Sequence, residues 1–137
     1  MITMGTYSVY EYMVSKFPDD ELLLKNGAID SNVEQSIGIF LAPDSRGGDG
    51  LSLGGIACTL VRMLPVTIKV RWTQNQKECN DKAIAIYNMM LEQECNFTVG
   101  DASIATIQLL DSTPRSLGRD DKNVCEMVIR ANFYYYI

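Results

Sequence analysis

Apolar and polar residues alternate from Val66 to Trp72. Val66, Ile68, Val70 and Trp72 fall on one side, and Thr67, Lys69 and Arg71 on the other. A period of two in a run rich in β-branched residues predicts a strand with one buried face. After Thr73-Gln74-Asn75 the period lengthens. Cys79, Ala83, Ile86, Tyr87, Met90 and Leu91 recur at helical spacing and form one apolar stripe. Asn75 is placed to cap this helix, and Glu78, three residues on, to reach back to its N–H as in a capping box. Glu78 and Lys82 are i, i+4 neighbours in the favourable order. The stretch Met63–Gln93 therefore predicts a half-buried strand feeding an amphipathic helix that lies across the sheet.

The same reading extends along the chain. Tyr7–Phe17 carries Val9, Tyr10, Met13, Val14 and Phe17 at helical spacing, and Pro18 ends that helix. Glu21–Leu24 is a short strand or extended arm, and Lys25–Asn32 a loop. Ser36–Leu41 reads as a strand with Ile37, Ile39 and Leu41 on one face, closed by Pro43. Asp44–Gly55 holds Gly47, Gly48, Gly50, Gly54 and Gly55, half of the chain's 10 glycines, which predicts a loop or hairpin tip rather than a stiff element. Ile56–Met63 would be the outgoing leg, with a bend, bulge or edge position at Pro65. Glu94–Ala102 reads as a polar turn. Ser103–Leu110 reads as an interior strand with Ala105, Ile107 and Leu109 on one face and Ile104, Thr106, Gln108 and Leu110 on the other. Asp111–Asn123 reads as a long polar loop. The final strand, Val124–Tyr136, puts Cys125, Met127, Ile129, Ala131, Phe133 and Tyr135 on a core face and Glu126, Val128, Arg130, Asn132, Tyr134 and Tyr136 on a mixed one. The sum is an α+β fold in the order α-β-β-α-β-β. It is an antiparallel or mixed sheet of four to five strands, with two helices packed mainly on one face, in a single domain over residues 1–137.

Composition narrows the chemistry. A net charge of -5 disfavours a nucleic-acid grip, which needs a basic face. No apolar run is long enough to span a bilayer, and the N-terminus lacks the pattern of a secretory signal. The chain has no histidine, which removes histidine triads, bases and metal sites together. Its four cysteines, Cys58, Cys79, Cys95 and Cys125, form no CxxC pair and read as reduced thiols acting as small hydrophobes. The acidic pairs Asp19-Asp20 and Asp120-Asp121 fall in polar turns and read as solvated. Glu126 and Arg130 share a strand face, as a cross-strand or intersubunit pair would. Gly-Gly-Asp-Gly lacks the Gly-Lys-Ser/Thr ending of a phosphate loop. Nothing here points to a catalytic, cofactor or metal site, and no cofactor is expected.

Four segments carry a resemblance: the N-terminal helix running into Phe17-Pro18-Asp19-Asp20-Glu21; Ile37–Leu41 leading to the glycine-rich loop; Ile68–Glu78 with its following helix; and Ile107–Pro114, Leu117-Gly118-Arg119-Asp120 and Val128–Tyr136 with its aromatic finish. Together the chain resembles the small phage minor capsid proteins that act as tail terminators, or tail-completion proteins, in phages of Gram-positive bacteria and related tail-like particles. The resemblance implies a structural virion protein made in the host cytoplasm. It implies a ring, usually a hexamer, on the head-proximal end of the tail tube, where it stops polymerisation of the tube protein and meets the head connector while DNA passes through the lumen. Candidate intersubunit or partner contacts are Arg46, Asp49, Arg115, Arg119, Asp120, Arg130, Tyr134 and Tyr136. A head-completion or neck adaptor is the nearest alternative. A small Mg-dependent nucleic-acid enzyme or a ligand-binding regulatory module are alternatives from other classes.

Overall fold

The alternating run that starts at Val66 is the second part of a longer strand. The protein, in a computed structural model covering residues 4–30, 32–42 and 60–136, runs α1 (Thr6–Lys16), β1 (Leu24–Asn26), β2 (Ser36–Leu41), β3 (Val61–Arg71), α2 (Gln76–Leu91), β4 (Phe97–Val99), β5 (Ala102–Leu109), β6 (Arg115–Arg119) and β7 (Cys125–Tyr136), with one turn of 3-10 helix at Pro18–Asp20. The expected glycine-rich loop, Pro43 and residues 56–59 of the expected outgoing leg lie outside the described residues.

The strands form one mixed sheet in the order β1-β2-β3-β7-β5-β4, and β6 also pairs with β7. Among the described residues only the β1–β2 pairing is parallel. The α+β class and both helices are where the periodicity puts them. The added strands are short ones: β1 straddles the end of the expected short strand or arm at Glu21–Leu24 and the start of the expected loop at Lys25–Asn32, β4 lies within the expected turn at Glu94–Ala102, and β6 within the expected loop at Asp111–Asn123.

β7 is the axis of the sheet. It pairs along its whole length with β3, Val61–Arg71 against Tyr136–Glu126. On its other side β5 covers Tyr136–Ala131 and β6 covers Val128–Cys125, one after the other and in the same direction. Its inward residues Cys125, Ile129, Ala131, Phe133 and Tyr135 are almost fully buried. Val9, Tyr12 and Met13 of α1 and Cys79, Ala83, Ile86 and Met90 of α2 join the same core. Both helices therefore close one face of the sheet, as their single apolar stripes require.

Two local departures have simple causes. Pro65 sits inside β3, opposite Asn132, with no bulge. Its carbonyl accepts from the Ala42 N–H, just past the end of β2, at 3.0 Å. A strand residue's N–H and C=O point to the same side, so the donor proline lacks is missing only where β2 leaves the sheet. In β5, a bulge falls between Ile104 and Thr106. The extra residue shifts the phase by one. Ile104, Ile107 and Leu109 then face the core opposite Tyr135, Phe133 and Ala131, and Thr106 and Gln108 face outward. The expected grouping of Ile107 and Leu109 with Ala105 against Ile104 is corrected accordingly.

At the start of α2 the Asn75 side chain accepts from the N–H groups of Lys77 and Glu78, at 3.0 and 3.4 Å. The return contact is indirect. Asn75 N–H donates to Thr73 Oγ1 at 3.2 Å, and that hydroxyl donates to the Glu78 carboxylate at 2.9 Å. Lys82 does not pair with Glu78. It turns to Asp20 and lies between the rings of Phe17 and Trp72, at 4.8 and 5.0 Å from their centroids. The exposed i, i+4 pair of the helix is Lys77–Asp81.

Candidate functional site

The helices leave the opposite face of the sheet, which no helix covers among the described residues. Strand alternation sends Lys69 and Arg71 of β3 and Glu126, Arg130, Asn132, Tyr134 and Tyr136 of β7 to this outer face. Three cation–carboxylate pairs cross it. Lys69 Nζ lies 3.0 Å from Glu126. Arg130 makes a two-pronged contact with Asp111, at 3.0 and 2.8 Å. Arg71 Nε donates to Asp120 at 2.7 Å, and its guanidinium also donates to the main-chain carbonyls of Val33 and Glu34. Glu126 and Arg130 therefore bond different partners, Lys69 on β3 and Asp111 just past the end of β5, rather than each other.

The electrostatics follow from those contacts. The Arg130 hydrogen bonds hold the Asp111 carboxyl below the usual carboxylate range. Asp120 is held low first by the Val124 N–H and then by Arg71, with the Lys122 N–H adding to them. Arg71 is nearly fully buried. A buried guanidinium is tolerated only with its donors satisfied, so this pair ties the 33–34 segment, β3 and the β6–β7 turn together. Asp20 is likewise bonded to Lys82. Of the two acidic pairs read as solvated turn residues, one member each is thus engaged.

Towards the other end of β7 the outer face becomes polar and aromatic. Tyr134 OH and Asn132 Nδ2 both donate to Gln108 Oε1, at 2.9 and 3.2 Å. Tyr136 OH donates to Asn96 Oδ1 at 2.8 Å, and Tyr136 remains 42% exposed. These hydroxyls keep acceptor capacity while their rings offer apolar area, the combination that suits a protein interface.

The candidate contacts thus fall in different places. Arg130, Tyr134 and Tyr136 share the outer face. Arg115 and Arg119 belong to β6, not to a loop, and all of β6 is exposed. Arg119 donates to the carbonyls of Gln74 and Asn123, at 2.8 and 3.0 Å. Asp120 is committed to Arg71. Arg46 and Asp49 lie outside the described residues. Asp111, Gln108 and Asn96 were not singled out in sequence; their cross-strand partners depend on the β5 bulge and on β6, which periodicity does not reveal.

Among the described residues no cluster of cysteine and carboxylate groups is arranged to hold a metal ion. No helix there is long and apolar enough to cross a membrane. The buried thiols Cys79 and Cys125 are unpaired, and Cys95 is exposed.

No curated protein matches the chain. The family model described as bacteriophage tail terminator protein matches residues 15–137, which takes in every strand of the sheet and α2. The helix-backed sheet with an open, tyrosine-bearing face is therefore the fold of a structural phage tail protein, and the chain belongs to the bacteriophage tail terminator family.

Proposed function

We propose that this protein caps the head-proximal end of the phage tail tube as a ring, probing no chemistry of its own: it stops addition of tube subunits and gives the head connector a surface to join. Six copies form the ring, assembled in the host cytoplasm, and DNA crosses the lumen without sequence-specific contact. The family match over residues 15–137 carries this reading. The outer face supports it. Three of its cations, Lys69, Arg71 and Arg130, are matched by Glu126, Asp120 and Asp111, which leaves those three little charge to offer passing phosphates. Tyr134 and Tyr136 offer the amphipathic surface for a protein partner, and Arg115 and Arg119 stand at the sheet's margin.

The test is assembly. Purified protein mixed with tail tubes should decorate one end of each tube in electron micrographs and halt further growth. Tubes that grow to the same excess length with and without it would overturn the proposal. A Tyr134→Ala/Tyr136→Ala variant should fold and leave tube ends bare.

A further inference from the structure

A ring of identical copies needs two different surfaces that meet, and the strand register singles out a pair. We infer that β6 of one copy adds to the free edge of β1 on the next, so that the sheet continues from subunit to subunit. This inference rests on the ring reading above and names the join.

Among the described residues β1 has a neighbour only in β2, and β6 only in β7. Register places these two edges at the same height. Lys25 pairs with Gly38, Gly38 with Lys69, Lys69 with Val128, and Val128 with Arg115. The next row runs Leu24, Ile37, Val70, Met127, Ser116. A join along these rows adds no stagger along the strands, which a closed ring requires, whereas a staggered join would climb into a filament. Strand directions also agree. β1 runs with β2, against β3, with β7 and against β6. A rotation about an axis along the strands preserves direction, so β6 of the next copy arrives antiparallel to β1.

The flanks match. Leu22 and Tyr7, beside β1, are 87% and 60% exposed, and Leu117 in β6 is 53% exposed. An open hollow of about 640 Å³ lies among Tyr7, Tyr10, Leu22 and Lys25. Asp19 and Glu21 are exposed on the β1 side, while β6 carries Arg115 and Arg119 and no acid. One contact opposes the join: Lys25 and Arg115 share a row.

That contact makes the test sharp. Lys25→Glu and Arg115→Glu should each replace a like-charge pair by an attractive one and tighten self-association roughly twofold to fivefold per join. The double variant restores like charges and should return to the wild-type value, as read by sedimentation over a dilution series. A Lys25→Cys/Arg115→Cys variant, with Cys58 and Cys95 replaced by serine, should give a ladder of linked chains on mild oxidation, and neither single cysteine should. Rings that form without the ladder and without the charge reversal would overturn this join and leave the ring reading standing. Wild type and variants that all stay monomeric, with or without tail tubes, would overturn both.

Discussion

Arg71 and Asp120 are 49 positions apart in the chain and 2.7 Å apart in the fold. The contact is asymmetric. The guanidinium is almost wholly enclosed, while the carboxylate keeps some access to water. Arg71 also anchors the carbonyls of Val33 and Glu34. Arg71→Met should cost about 1.5 to 3 kcal/mol, because it removes the charged hydrogen bonds to Asp120, Val33 and Glu34, while Asp120 keeps the N–H groups of Val124 and Lys122. Arg71→Lys should recover only part, since an ammonium cannot fork between a carboxylate and two carbonyls. Urea denaturation of the two variants checks both expectations.

Asp111 and Asp120 contribute to the acid limit. Both carboxyls sit below the ordinary value of 3.8 in the folded protein. Their contribution is therefore complete at neutral pH and is lost as pH falls below about 4, through their lowered folded values. Thermal melting should vary little between pH 7 and 5 and drop below pH 4. Asp111→Asn should flatten that drop and lower the melting point at neutral pH.

Lys82 holds the end of α1 to the rest of the molecule through Asp20, Phe17 and Trp72. Lys82→Met keeps the apolar stem but loses the ion pair and both cation–ring contacts. The loss should be about 1 to 2 kcal/mol, felt first at α1. Trp72 is the chain's one tryptophan, so its emission should shift in the variant. Amide exchange should quicken in residues 6–20 before it does in β7.

The thiols should divide by burial. Cys95 should react quickly with a water-soluble disulfide reagent, while Cys79 and Cys125, both buried, should react only as the protein opens. Burial pushes the Cys79 thiol up from 9.0 to about 11 and the Tyr12 hydroxyl up from 10.0 to about 12. Stability from these neutral groups is complete below pH 9 and is lost as pH rises through their folded values. An alkaline melting series should fall from about pH 9 upward, and Cys79→Ala should remove part of that slope.

The elements legible in sequence are those whose own period decides them: the Val66–Arg71 part of β3, the Asn75-capped α2, β2, and β7 with its two faces. The rest depends on partners far away in the chain. β6 contains Gly118 at φ +86° and a bulge opposite β7, so its local composition reads as loop and only β7 makes it a strand. Pro65 argues against a strand interior until β2 is seen to stop beside it. Ala105 shifts the phase of β5 by one residue, which a count of alternating positions cannot detect. For the same reason parity alone puts Arg130, Tyr134 and Tyr136 on one face of β7, but it does not pair them with Gln108 and Asp111 across β5 and its exit.

The central place of β7 constrains how the molecule comes into being. β3 and β5 are made earlier, yet each lacks its principal neighbour until residues 125–136 leave the ribosome. Until then two unfinished β edges face the cell, and their pairing demands contacts of long sequence separation, which form slowly. Before β7 is made, β6 has no strand to pair with, so the join of β6 to the next copy's β1 waits until synthesis reaches residues 125–136.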